Sequence, residues 1–124
     1  MFSYRKNDEL HTWVRSFYES GKPTAALCHG VCALLDVELS DRTRLISDKT
    51  ITGFSNDEED AVNEMDGQEV MPFRIETLAP EFGAHFTSNG AWKPFAIRDG
   101  SLITGQQQNS GRETAELVIE SLGK

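Results

Sequence analysis

The sequence predicts a single α/β domain, and three observations lead to that class. Patterns typical of helices alternate with patterns typical of strands through most of the 124 residues. Residues 24–28 form a short run of small and apolar side chains, which is typical of a parallel strand buried on both faces. The length allows no more than one domain, with one core of modest size.

A first helix is predicted from a cap at Asn7 or Asp8 to about Ser20, because apolar residues recur there at helical spacing. Gly21 ends this helix, and Pro23 prevents its continuation. The apolar stripe of the helix consists of Leu10, Trp13, Val14, Phe17 and Tyr18.

The strand at residues 24–28 leads into a second helix, which Gly30 opens and which is wholly apolar over residues 31–35. Short apolar stretches at 45–46 and 50–52 flank a polar turn and predict a small hairpin.

The remaining elements are predicted from the same patterns. They are helices over 56–65, 72–82 and 113–122, and strands at 84–87, 95–98 and 102–104. The last helix is predicted to bury Leu117, Val118, Ser121 and Leu122.

The composition excludes several classes of partner. Twenty acidic and twelve basic residues give a net charge of −8, which argues against binding to nucleic acid or to an anionic membrane. No apolar run is long enough to span a bilayer, and the first residues do not resemble a signal peptide. Two cysteines four positions apart make a poor disulfide framework, so we expect a cytoplasmic protein.

The strongest local signal is the segment Ala25-Ala26-Leu27-Cys28-His29-Gly30-Val31-Cys32. A buried strand that runs into a nucleophilic side chain, with glycine two positions later, has the pattern of a nucleophile elbow. At such a turn the sulfur of Cys28 lies at a helix N-terminus, where the helix dipole favours a thiolate. A lone cysteine after an apolar strand is usually a small buried hydrophobe, but His29 and Gly30 favour a reactive Cys28.

The other candidate ligands and nucleophiles carry weaker signals. Cys32 lies one helical turn after Cys28 on an apolar face, which favours packing over a role as a resolving thiol. His11 and His85 have no partner pattern and are expected to be surface or hydrogen-bonded histidines. No spacing matches a structural zinc site, so we predict no structural metal.

Four stretches, taken together and in this order, resemble the ThiJ/PfpI superfamily, which is also called class I glutamine amidotransferase-like. They are Ala26-x-Cys28-His29-Gly30, the segment 52–59 with sequence TGFSNDEE, Trp92-x-Pro94, and the segment 99–105 with sequence DGSLITG. The sequence is most similar to the branch that contains glyoxalase III and stress chaperones. The resemblance implies a flavodoxin-like three-layer sandwich with a mainly parallel sheet.

The resemblance also implies a catalytic set. Cys28 matches the nucleophile, His29 the adjacent histidine, and Glu59 the acid that orients the histidine. From composition alone Glu59 reads as part of a solvated acidic face, and only the motif spacing favours a role in catalysis. Glu58 is the alternative acid.

The sequence departs from the superfamily in length. Members are about twice as long, and their upstream half supplies further strands, a glutamate beside the nucleophile and glycine N–H groups of the oxyanion hole. We therefore expect residues 1–124 to be one truncated domain that covers its open sheet edge as a homodimer or with a complementing chain. A second departure is Gln107-Gln108, where the superfamily tends to carry Asn-Pro, and it leaves substrate binding open.

The resemblance implies cofactor-free conversion of methylglyoxal to lactate, with a small carbonyl compound as the substrate. Two alternatives stay open at this point. The same cysteine, histidine and acid could hydrolyse amides or peptides. A chain that lacks catalytic groups could instead be a non-catalytic chaperone or a redox-responsive remnant.

Overall fold

The computed structural model describes residues 3–123, and it has the α/β architecture that the sequence predicts. The α-helices are α1 (Asp8–Glu19), α2 (Asn56–Asp66), α3 (Ile75–Glu81) and α4 (Gly111–Ser121). The strands are β1 (Thr24–Leu27), β2 (Thr50–Ile51), β3 (His85–Phe86), β4 (Ala96–Asp99) and β5 (Leu102–Gly105). Two 3₁₀ helices cover Cys28–Leu34 and Gln108–Ser110.

The strands form two small sheets. In the larger one, β5 lies between β1 and β4, parallel to β1 and antiparallel to β4. The second sheet consists of β2 and β3, which pair in parallel. Two of these three pairings are parallel, as expected for α/β architecture, and β1 lies at an edge of its sheet.

The predicted hairpin at 45–52 is wrong. Leu45 and Ile46 are fully buried in turns that belong to the core, and no strand includes them. The backbone N–H of Lys49 closes a turn on the carbonyl of Ile46, which brings Thr50 into parallel pairing with His85 instead. Apolar pairs of this length do not distinguish a strand from a buried turn, because both place two side chains in a core.

Three predicted helices also differ from the structure. The segment after β1 is a 3₁₀ helix that begins at Cys28 itself rather than an α-helix opened by Gly30. The helix predicted over 72–82 spans only Ile75–Glu81. Leu122, which was expected on the inner face of the last helix, is the C-cap residue after α4 and is 55% exposed, whereas Leu117, Val118 and Ser121 are half-buried.

A single apolar cluster holds the elements together. Its fully buried members come from the 3₁₀ helix after β1, the following loop, β2, α3 and β5. They include Val31, Leu35, Val37, Ile51, Ile75 and Leu102. Gly105 lets α4 approach the end of β5, because a Cβ at that position would collide with the hydroxyl of Thr114. This contact brings the loop after β5 to the same end of the sheet as the β1–3₁₀ turn.

The outer side of β1 is open in the described residues. Trp13 and Phe17 of α1 are 62% and 43% exposed, and they pack edge to face with ring centroids 6.4 Å apart. Together with Pro23 and Ala25 they line a groove of about 230 Å³ along this strand. Within residues 3–123, no helix combines the length and apolar character that crossing a bilayer requires.

Candidate active site

Cys28 occupies the sharp turn between β1 and the first 3₁₀ helix. Its φ is 60°, in the left-handed region that residues other than glycine rarely adopt. The preceding Leu27 is still extended, so the whole change of direction falls on Cys28. The side chain is half-buried, and the carbonyl of Cys28 accepts a hydrogen bond of 3.4 Å from the backbone N–H of Phe54. A backbone strained in this way at a half-buried cysteine has the geometry of an elbow.

His29 lies between Cys28 and Glu59. Its Nδ1 is 3.9 Å from the Cys28 Sγ, and its Nε2 is 2.7 Å from Oε1 of Glu59. The imidazole also stacks on the ring of Phe54, with centroids 4.1 Å apart and planes tilted by 35°. The structure therefore brings together the three side chains that the sequence analysis selected, and it fixes the ring of His29 from both ends and one face.

The N-terminus of α2 explains why two neighbouring glutamates serve different partners. Ser55 is the N-cap of α2, and it forms a capping box with Glu58, whose Oε1 accepts from the backbone N–H and the hydroxyl of Ser55. One position later, Glu59 points to His29. Both glutamates are almost fully buried, at 0% and 1% exposure, so the interpretation of a solvated acidic face is wrong for them.

The electrostatics of the site favour a charged His29. Burial by itself lowers the pKa of His29, but hydrogen bonds and negative charge from Cys28 and Glu59 raise it to about 9. The imidazole is therefore a cation at neutral pH, with Glu59 as its counter-charge.

Glu58 is held as a carboxylate in a site without solvent. Burial raises its pKa, but hydrogen bonds from two backbone N–H groups and a glutamine amide lower this pKa below its ordinary value. The donors are the backbone N–H groups of Ser55 and Trp92 and the side-chain amide of Gln107. Glu58 is thus part of a separate polar network, and it is not the partner of His29.

The remaining candidate residues lie apart from this set. Cys32 is fully buried within the apolar cluster, and burial raises the pKa of its thiol, which fits a packing role. His11 is buried, with its Nε2 2.8 Å from the carbonyl oxygen of Arg5, and His85 is exposed. In the described part of the chain, no group of three or more histidine, cysteine or acidic side chains is arranged to hold a metal ion.

Sequence reasoning did not assign roles to several residues that shape the site. Phe54 and Trp92 occur within the motifs that carried the resemblance, but only the structure shows their rings in contact, at 5.8 Å. Gln106 and Gln107 are fully buried beside them. Gln107 was noted only as a departure from the superfamily pattern, and no local pattern in the sequence connects it with Glu58.

Comparison with known proteins supports the same family. The chain is 31% identical to a glutathione-independent glyoxalase of Saccharomyces cerevisiae, over 98% of this chain and 53% of that protein. Its fold matches the Rapid Encystment Protein 24 KDa of Francisella tularensis with a TM-score of 0.90 and 34% identity, over 98% of this chain and 52% of that one. It matches glyoxalase III of Candida albicans with a TM-score of 0.83 and 28% identity, over 97% and 52%.

The relatives are about twice as long as this chain. The chain spans about half the length of the relatives that it matches, because the matching regions cover nearly all of this chain but only 52–53% of theirs. The family model described as DJ-1/PfpI matches residues 3–121. This match confirms the resemblance noted from the motifs, and the chain belongs to the DJ-1/PfpI family.

Proposed function

We propose that this chain carries the catalytic centre of a cofactor-free, glutathione-independent glyoxalase that converts methylglyoxal to lactate. The observation that supports it best is the arrangement of Cys28, His29 and Glu59, in which a strained turn presents a sulfur to an imidazole held by a buried carboxylate. Relatives at about 30% identity are named glutathione-independent glyoxalases, which favours this reaction over other chemistry of the same three groups.

The proposed reaction begins with attack by the Cys28 thiolate on the aldehyde carbon of methylglyoxal. A carbon–sulfur bond forms, the carbonyl oxygen takes a proton from the His29 imidazolium, and the product is a hemithioacetal. The hydrogen on the attacked carbon then leaves as a proton and the neighbouring ketone oxygen gains one, which gives an enediol. A proton next adds to the former ketone carbon while the hydroxyl beside the sulfur loses its proton, which gives a thioester of lactate. Water cleaves the carbon–sulfur bond, so the net change is addition of one water molecule without any external oxidant.

Glu59 has an orienting role in this scheme. Its 2.7 Å contact with Nε2 leaves Nδ1 of His29 directed to the sulfur, and its negative charge stabilises the imidazolium. Burial of Glu59 strengthens this interaction because water does not screen it. In this role Glu59 is a positioning residue for His29, whereas Cys28 and His29 touch the substrate.

One edge of β1 has no strand beside it among the described residues, and the exposed rings of Trp13 and Phe17 lie next to it. Exposed strand edges beside exposed apolar side chains are commonly covered by another chain. We propose that a second polypeptide, either another copy or a complementing chain, pairs with the open edge of β1 and buries roughly 1,000 Å² or more.

The test is lactate formation from methylglyoxal by the wild-type chain, by Cys28→Ala and by Cys32→Ala as a matched control. We expect wild type and Cys32→Ala to form lactate at similar rates, and Cys28→Ala to form none above the uncatalysed rate. Equal rates for wild type and Cys28→Ala, or no lactate from any of the three, would contradict the proposal.

A second candidate function is a chaperone that binds unfolded clients. The observation that favours it is the exposed apolar surface, above all Trp13, Phe17 and Met65, the last of which is 87% exposed. In that case the chain would suppress aggregation of a thermally unfolded client, and Cys28→Ala would suppress it equally. A loss of suppression in Cys28→Ala would argue against a surface-based chaperone.

A further inference from the structure

The loop between β3 and β4 passes beside the candidate catalytic set. Trp92 in this loop has a φ of 65°, a left-handed conformation that bulky residues rarely adopt. Its indole meets the ring of Phe54 edge to face, at 5.8 Å and 70°, and Phe54 stacks on His29. Trp92 is 36% exposed, so it is neither a core residue nor a free surface side chain.

A buried carboxylate and a buried amide fix the backbone on either side of the indole. Oε2 of Glu58 accepts hydrogen bonds of 2.9 Å from the backbone N–H of Trp92 and from Nε2 of Gln107. The same Nε2 donates to the carbonyl of Lys93 at 2.8 Å, and the hydroxyl of Ser110 donates to Oε1 of Gln107. Buried polar groups are costly unless they are paired, so this arrangement is stable only while the loop keeps its place.

Two further side chains hold the same loop. Gln106, which is fully buried, accepts from the backbone N–H of Asn89 and donates to the carbonyl of Gly90, each at 3.0 Å. Asn109 donates to the carbonyl of Trp92 at 2.9 Å. The loop is thus fixed at successive backbone positions, and all of these bonds come from the segment that follows β5 or from the start of α2.

The network and the catalytic set share one anchor. Glu58 and Glu59 are consecutive residues in the first turns of α2, and they hold the Trp92 backbone and the His29 ring respectively. The start of α2 therefore links the backbone of Trp92 to the ring of His29, and the segment after β5 holds the same loop from its other side. An exposed aromatic side chain fixed in this way beside a nucleophile is suited to contact whatever approaches the sulfur.

We propose that Trp92 is a specificity-determining residue that forms one wall of the approach to Cys28 and limits it to small carbonyl compounds. Glu58, Gln106, Gln107 and Asn109 are positioning residues for that wall. The proposal rests on the proposed function in one respect only, namely that substrates react with the sulfur of Cys28. It concerns the size of the electrophile and is independent of whether the chain completes the conversion to lactate.

The experiment compares the rates at which Cys28 is alkylated by a small reagent, iodoacetamide, and a bulky one, N-phenylmaleimide. Peptide mass spectrometry assigns the label to Cys28 rather than the buried Cys32. We expect Trp92→Ala to raise the ratio of the bulky-reagent rate to the small-reagent rate by about tenfold or more, since packing differences of this kind discriminate by about 10–200-fold. Trp92→Phe, which shortens the ring system, should give an intermediate ratio. Ile119→Ala, which removes an exposed apolar side chain of α4, should leave the ratio unchanged.

Circular dichroism and thermal melting establish that each variant is folded before its rates are compared, and Trp92→Phe decides the matter if Trp92→Ala does not fold. A ratio within about twofold of wild type in the folded Trp92 variants would overturn the proposal, as would an equal rise in Ile119→Ala. Because alkylation needs no turnover, a shifted ratio without lactate formation would uphold this inference and contradict the proposed function. Lactate formation with an unshifted ratio would uphold the proposed function and contradict this inference.

Discussion

Two aromatic clusters of this molecule consist of similar side chains, but one surrounds a buried ring and the other is exposed. Around Phe54, which is 3% exposed, the rings of His29 and Trp92 lie at 4.1 and 5.8 Å. On α1, Trp13 and Phe17 lie at 6.4 Å, but both are largely exposed beside the open edge of β1. The ring distances are comparable, and the difference lies in the backbone and the polar groups around them.

The Phe54 cluster is flanked by two strained residues, Cys28 and Trp92, whose φ values are 60° and 65°. Strain of this kind costs roughly 1–3 kcal/mol per residue and persists only where surrounding contacts enforce it. The α1 pair lies on a regular helix with an Asn7 cap and no strained backbone. The first cluster therefore fits the proposed catalytic site, and the second fits the proposed contact surface.

The largest effect is expected from Glu59→Gln. Without the carboxylate, burial and the loss of charge should lower the pKa of His29 well below its value of about 9. Loss of an oriented acid–base group should reduce lactate formation by about 10²–10⁴. NMR titration of the labelled histidine ring measures the pKa directly, and Glu64→Gln, an exposed change on the same helix, is the control. A midpoint that stays near 9 in Glu59→Gln would show that another group holds the imidazolium.

A pH-dependent change in stability follows from the same interaction. The folded pKa of His29, about 9, exceeds its unfolded value of 6.5, so the stabilisation is complete below about pH 6.5 and is lost as pH rises through 9. We expect the free energy of unfolding in urea to fall by roughly 1 kcal/mol more in wild type than in Glu59→Gln between pH 7 and 10, after allowance for solvent screening. Parallel pH profiles for the two proteins would contradict this assignment.

The sequence and the structure agree where the signal is local. The elbow at Cys28 follows from a strand, a nucleophile and a glycine in immediate succession, and Glu59 was selected by its spacing within a motif. The hairpin at 45–52 was not found, because a pair of apolar residues carries no information on which strand it meets. The order of elements and the α/β class could be predicted, since periodicity extends over many residues.

The polar network around Glu58 could not be predicted, because its partners lie far apart in the sequence. Its contacts join Glu58 to Trp92 and Gln107, which lie 34 and 49 positions further along the chain. Glutamine in a loop after a strand usually faces solvent, and only the tight approach of α4 at Gly105 turns this loop inward. Long-range polar pairing of this kind leaves no periodic trace in a single sequence.

A smaller effect is expected from Gln107→Ala, which removes the amide shared by Glu58 and Lys93. The carboxylate and the carbonyl lose a donor in a buried setting, so the free energy of unfolding should fall by about 1–3 kcal/mol. The alkylation ratio of Cys28 should also shift towards the bulky reagent, because the loop that carries Trp92 loses an anchor. Gln108→Ala, the exposed neighbour, is the matched control for both measurements. Equal stability losses in the two variants would show that the network does not hold the loop.

The smallest effect on stability is expected in the other aromatic cluster, and it should come with a change in assembly. Because Trp13 and Phe17 are mostly exposed, the double change Trp13→Ser and Phe17→Ser should alter the free energy of unfolding by less than about 1 kcal/mol, near the range for surface positions. If these rings cover the open edge of β1 in a complex, the same change should weaken self-association by about tenfold or more. Size-exclusion chromatography with light scattering at micromolar concentration measures this, with Met65→Ser on α2, whose side chain is 87% exposed, as the control. A wild-type chain that is monomeric at that concentration would argue that the surface serves a different polypeptide rather than a second copy.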